Sequence, residues 1–229
     1  MAELLNLELT SVLVTLLAYQ AGLFLQKKVK HPACNPILIS AVLIIAFITV
    51  TGLPNSVYQQ ANVRLSWLLT PATVCLAVPM YEQLEILLKN LKALMAGIAA
   101  GVISCMGFVL LLSMAFGFER ALTVSLLPKS VTAAIGVPLS QLSGGITSIT
   151  TAVILVTGIV AAVLGPSLCK LFRLEDDISR GVAFGTAGHV IATARASEMS
   201  ALTGAVGSLS LVVACLLTAL VFPLVVGMV

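Results

Sequence analysis

Leu126-Leu127-Pro128-Lys129-Ser130-Val131-Thr132 sets a lysine between apolar flanks, with a proline before it and hydroxyls after it. A charged side chain at bilayer depth costs about 2.5–3.5 kcal/mol on insertion scales. It is kept there only with a partner, a water-filled cavity or a bound solute. A second polar stretch follows at Gly185-Thr186-Ala187-Gly188-His189-Val190-Ile191-Ala192-Thr193-Ala194-Arg195. Both stretches are interrupted by Pro or Gly and lined with hydroxyls. They predict two broken segments and a polar path through an otherwise apolar chain.

The composition sets the class. Of 229 residues, 59% are hydrophobic and 9% charged, with a mean hydropathy of +1.14. A soluble domain carries about 25% charged residues. The gap predicts an all-α polytopic membrane protein whose main environment is the lipid bilayer. A transmembrane barrel needs alternating segments and aromatic girdles; here the apolar runs are continuous and aromatics make up 5%. The net charge of +3 is spread over short loops, so no nucleic-acid partner is expected. The cysteines at 34, 75, 105, 169 and 215 form no CxxC pair and read as small packing residues. The acidic start, Met1 to Glu8, lacks the basic region of a cleaved leader, so the first apolar run is expected to remain as a span.

A helix needs about 20 apolar residues to cross a bilayer. Six stretches meet this, at 9–25, 36–53, 65–80, 91–116, 146–168 and 202–226. Two less apolar ones, 121–142 and 181–199, carry the polar motifs and are expected to be broken or re-entrant. Lys/Arg-rich loops mark the cytoplasmic side, which puts Lys27-Lys28-Val29-Lys30 and Lys89 to Lys92 inside and Glu119-Arg120 outside. The charges of the loop from Lys170 to Arg180 are mixed. If that loop is cytoplasmic, 121–142 must re-enter from the outer side; if not, it crosses.

The chain reads as one integral membrane domain, 1–229, with repeats of about 1–117 and 118–229. Pro71 to Leu84 echoes Pro128 to Leu142: two prolines bracket a hydroxyl-bearing apolar run, and Gln-Leu follows. Duplicated, interrupted segments are a pointer to a solute site between inverted repeats.

Three sets carry chemistry. A helix starting after Pro128 would present free N–H groups and a positive dipole end. With Lys129, Ser130 and Thr132 this makes an anion-recognition set; the plainer alternative is a lysine snorkelling beside a kink. In the second set, Thr186, His189 and Thr193 share one helical face. Arg195 lies nearly opposite, where it either grips a carboxylate in bidentate fashion or pairs with Glu198 three residues on. His189 is a candidate proton carrier or a helix–helix hydrogen bond. The third set, Thr70, Thr73, Glu82 and Gln83 around Pro71 and Pro79, is secondary. Gly97 and Gly101 form a GxxxG for close helix packing, within or between subunits. No phosphate-binding loop, HExxH or GxSxG is present. An enzyme, a metal site and a cofactor are therefore not expected.

The Leu127-Pro128-Lys129-Ser130-Val131-Thr132 and Gly185-Thr186-Ala187-Gly188-His189 to Arg195 combination resembles the LrgB/CidB/YohK membrane family. Asn35-Pro36, Pro71 to Gln83, Gly144-Gly145-Ile146 and the stretch from Gly158 to Gly165-Pro166 are similar to its other landmarks. Two places depart from its pattern. Ala133-Ala134 stand where the family commonly has Thr-Pro, and Gly188 and Ala192 stand where it has Ser and Gly. Loss of those hydroxyls would alter solute preference.

The resemblance implies a bacterial inner-membrane protein working with a small LrgA/CidA-type partner, in holin/antiholin-like control of murein hydrolases and membrane permeability. It also implies kinship with the plastidial glycolate/glycerate translocator, hence a small monocarboxylate solute. The leading expectation is a secondary, proton-coupled carrier, assembled as a homo-oligomer. Lys129 and Arg195 would hold the carboxylate, Ser130, Thr132, Thr186 and Thr193 its hydroxyl or keto oxygen, and His189 would link a proton. The rival expectation is the holin/antiholin-like regulator.

Overall fold

The computed structural model describes residues 2–29, 36–68, 71, 74–75 and 77–228. Among these, helix is the only regular secondary structure, and four helices are long and apolar enough to cross a membrane. The chain is an all-α polytopic membrane protein. It divides into two units, Met1–Cys75 and Leu76–Val229.

The first unit holds α1 (Ala2–Val29), α2 (Pro36–Thr51), α3 (Asn55–Ala61) and α4 (Val63–Trp67). The expected spans 9–25 and 36–53 fall on α1 and α2. Gly22 lets these two helices touch, because a Cβ there would lie 2.7 Å from the Pro36 carbonyl oxygen. Thr15 Oγ1 and the Tyr58 hydroxyl meet at 2.6 Å and tie α1 to α3. The expected span 65–80 is not one helix. α4 stops at Trp67 and Leu68 is a turn; residues 71, 74 and 75 are helical again, and α5 covers Ala77–Glu82. Pro71 has no N–H to donate back to the Trp67 carbonyl, which is in keeping with that stop.

The second unit continues with α6 (Leu84–Lys89), α7 (Leu91–Phe116), α8 (Arg120–Leu126), α9 (Ala133–Leu142), α10 (Thr147–Leu171), α11 (Asp177–Met199) and α12 (Ala201–Val226). α7, α10 and α12 have 26, 25 and 26 residues. At 1.5 Å per residue each reaches about 38 Å, beyond the ~30 Å of a hydrocarbon core. Leu94, Ile98, Val102 and Met106 of α7 build one core cluster with Val206, Ala214 and Phe222 of α12.

Both interrupted segments turn back on themselves. A straight 23-residue α11 would hold its ends about 34 Å apart. Instead the Ser200 hydroxyl, just past its last residue, donates to Asp177 Oδ2 at 2.9 Å. The reversal is at His189, whose φ of 45° and ψ of −148° are non-helical. Both arms pack on the start of α12. Gly181 faces Thr203 and Val206, and Gly185 faces Gly207 and Ser210. Ser197 of the returning arm lies against Gly204. These glycines are needed because backbone meets backbone there.

α8 and α9 form the matching hairpin. Ser125 and Ser140 would be about 22 Å apart in a straight helix, yet a Cβ on Gly145 would touch the hydroxyls of both. The Ile146 N–H also donates to Ser125 Oγ at 2.7 Å. The first hairpin (120–142) is thus entered from the end of α7, and the second (177–199) from the opposite end of the unit, after α10. Their tips share one apolar cluster, in which Val131 and Val190 pack with Leu211 and Cys215 near the middle of α12. A long helix followed by a hairpin occurs twice, in opposite senses. This is an inverted arrangement spanning 91–142 and 147–199.

Candidate functional site

Leu126 ends α8, and two tight turns follow. In them the Lys129 N–H donates to the Leu126 carbonyl and the Val131 N–H to the Pro128 carbonyl. α9 begins only at Ala133, with Thr132 in the extended N-cap position and no side-chain cap bond. Pro128 therefore acts as a stop rather than a start. The turns place Lys129 and Ser130 at the hairpin tip, against the middle of α7.

There the Lys129 ammonium donates to Cys105 Sγ at 3.1 Å and to Ser130 Oγ at 3.2 Å. Cys105 Sγ and Ser130 Oγ are 3.0 Å apart. Among the described residues no carboxylate lies within ion-pair distance of Lys129. Beside this group is a cavity of about 10 Å³, room for about one water. Cys105, Ser130, Thr186 and Thr218 give it polar atoms, and Val102 and Met106 stand among its apolar lining. The cavity sits at mid-depth between α7, α12, the first hairpin's tip and the second hairpin's entering arm. Gly97 and Gly101 bring that arm close, since Cβ atoms there would meet Val182 and Thr186 at 3.4 and 3.1 Å. The GxxxG packs within the chain.

The other sequence-predicted residues are elsewhere. Thr132 is the extended N-cap residue of α9 and is not among the residues that line the cavity. Thr186 lines the cavity but gives its proton to the Val182 carbonyl at 2.7 Å. His189 is buried at the second tip, with Nε2 at 2.8 Å from the Ile154 carbonyl oxygen. A carbonyl only accepts, so Nε2 carries the proton. The ring lies in the notch left by Gly158, where a Cβ would stand 2.6 Å from it. Thr193 donates to the His189 carbonyl at 2.9 Å. Arg195 is paired with Glu198 at the base of the second hairpin. Glu82 is exposed at the end of α5, and Gln83 is in the turn after it. Asn35, Thr70 and Thr73 lie outside the described residues. Ser130 and Thr186 thus meet at the cavity, and Lys129 joins them through its bonds to Ser130 and Cys105; His189, Thr193 and Arg195 are not part of that cavity. Among the described residues no group of three or more His, Cys, Asp or Glu is placed to hold a metal ion.

Cys105 and Thr218 carry no sequence signal as site residues. A cysteine or a threonine inside an apolar span looks like packing until the tip that reaches it is known.

The LrgB-like family model matches residues 15–228. The chain is 31% identical to the holin-like protein CidB of Staphylococcus aureus, over 95% of each chain. It is 30% identical to the holin-like protein CidB of Staphylococcus epidermidis over 94% of each chain. It is 34% identical to the antiholin-like protein LrgB of Bacillus subtilis over 95% of each chain. No solved structure matches. With matches running from the first span to the last, the chain belongs to the LrgB-like family.

Proposed function

We propose that this chain is a holin/antiholin-like regulator of membrane permeability and murein hydrolase activity, resident in a bacterial inner membrane and acting with a small LrgA/CidA-type partner. The observation that carries this reading is the near full-length likeness to relatives named holin-like and antiholin-like. It is tested in a host whose own copies are deleted, by following murein hydrolase release and entry of an impermeant dye on induction, with and without the partner. Altered lysis that survives Lys129→Met supports it; unchanged lysis with the partner present refutes it.

A second reading rests on Lys129. A cation at mid-depth, bonded to two lining residues of a hydroxyl-bearing cavity and with no carboxylate in ion-pair distance among the described residues, suits a secondary, proton-coupled carrier of small monocarboxylates. No enzymatic step belongs to either reading. The test is uptake of labelled glycolate, glycerate, lactate and pyruvate by proteoliposomes, with and without an inward proton gradient. Saturable uptake lost in Lys129→Met supports the carrier, and uptake that survives this change removes Lys129 from the site.

A further inference from the structure

We infer that Cys105 is the positioning residue of the Lys129 site: its sulfur holds the ammonium at the cavity without neutralising it, so that a small monovalent anion can take the charge. The inference rests on the carrier reading.

A lysine ammonium has three donor directions. Two are used here, on Cys105 Sγ and Ser130 Oγ. The four-carbon stem of a lysine would otherwise swing and snorkel. Ser130 is the next residue in the chain and moves with the same tip. Among the described residues Cys105 supplies the one bond from this ammonium to another element, α7. That bond sets where the charge stands relative to Thr186 and Thr218 across the cavity.

The choice of sulfur follows from charge. An aspartate at 105 would also reach the ammonium, but the pair would be neutral and an anion would gain nothing by arriving. A thiol is a weak acceptor. It orients the ammonium and leaves its charge uncompensated, so an anion can take the third donor direction in a charge-assisted bond while the thiol keeps its place. Cys105 and Ser130 also line the cavity themselves; it has room for about one water, so a carboxylate bound at the ammonium would have to widen it and would cover the thiol.

The test uses the full chain in proteoliposomes with lactate as probe. Cys105→Val is expected to raise the half-saturating lactate concentration about tenfold, the value of one bond to a charged group, with the maximal rate within about twofold. Cys105→Ser should restore the wild-type concentration. Cys105→Asp, purified as a monodisperse folded protein, should lose uptake. In parallel, N-ethylmaleimide modification of Cys105 is followed by peptide mass spectrometry, with exposed Cys75 as reference. Lactate should slow modification at Cys105 about threefold or more in the wild type and not in Lys129→Met. If the wild type takes up lactate but Cys105→Val has unchanged half-saturation, Cys105→Asp transports normally, or lactate leaves the modification rate unaltered, the inference fails and the carrier stands. If the folded wild type takes up none of the four acids, the carrier reading fails and the inference falls with it.

Discussion

Gly158→Ala adds one methyl group to the middle of α10 and should detach the tip of the second hairpin. The new Cβ would stand 2.6 Å from both Cε1 and Nε2 of His189. Ordinary carbon contacts are about 3.5–4.0 Å, so the ring must retreat by about 1 Å. That stretches the 2.8 Å bond from Nε2 to the Ile154 carbonyl beyond hydrogen-bonding range. His189 is 5% exposed, so the freed N–H finds little water. An unmade buried bond costs about 1–3 kcal/mol, and overpacking costs about 1–3 kcal/mol more. Alanine's helical advantage over glycine returns up to about 1 kcal/mol. The net loss is roughly 3 kcal/mol on these same terms. Gly107→Ala is the control: nothing lies within 4 Å of its Cβ, so it should be neutral or stabilising. Thermal unfolding in detergent gives the stabilities, and hydrogen exchange at residues 190–193 reports the tip. The cost should fall below about 1 kcal/mol in a His189→Ala background, where the two changes are coupled. A Gly158→Ala protein as stable as the wild type, or an equal loss without the ring, would refute the reasoning.

Two further predictions concern the base of the same hairpin. Asp177→Cys with Ser200→Cys should form a disulfide on mild oxidation, identified by peptide mapping, because those side chains touch at 2.9 Å and a disulfide needs Cα atoms within about 7 Å; a crossing helix would leave them about 34 Å apart and unlinked. Asp176 caps α11: its carboxylate accepts first from the Ser179 backbone N–H and then from the Ser179 hydroxyl, which lowers its pKa below the usual value. A lowered folded-state pKa means the cap stabilises above the unfolded value, about 3.9, and is lost as pH falls through the folded one. Hydrogen exchange at residues 177–180, corrected for intrinsic rates, should rise on acidification in the wild type and lose that pH dependence in Asp176→Asn; identical profiles would count against the cap.

What the sequence makes legible divides by range. α7 runs over Leu91–Phe116, the same bounds as the uninterrupted apolar stretch between two polar loops. Pro128 signals a stop, and the structure has one. The second break is displaced from its signal. Gly185 and Gly188 are the permissive residues, yet the chain reverses at His189 with a positive φ, a conformation that costs a non-glycine about 1–3 kcal/mol. The glycines serve packing instead: Gly185 meets α12, and Gly188 meets Ala161 and Ala192 at the tip. Re-entry itself is illegible locally. It depends on contacts such as Ser125 with Ile146 and Ser200 with Asp177, which no periodicity encodes. Arg195 shows the same limit. The sequence leaves it free to grip a solute or pair with Glu198, and the backbone reversal at His189 carries it to the base of the hairpin, where Glu198 is at hand.

The hairpins also account for the charges. Lys89, Lys92, Lys170, Arg173, Arg180 and Arg195 all fall at the end of the second unit where α7 starts and α10 finishes. Arg120 falls at the other end, and Lys129 stands between. Had both interrupted segments crossed, Lys89 with Lys92 and Lys170 with Arg173 would lie on opposite faces, and cations would flank both. With both segments turning back, one face is basic and the other almost bare, as loop-charge asymmetry requires of an oriented protein. The remaining cation, Lys129, is the exception to this sorting. It is held at mid-depth by a weak acceptor and a hydroxyl, with its charge uncompensated. Placing a half-buried cation at this depth costs energy that a leucine at 129 would not. The cost is explicable if a negative charge visits the cavity beside it.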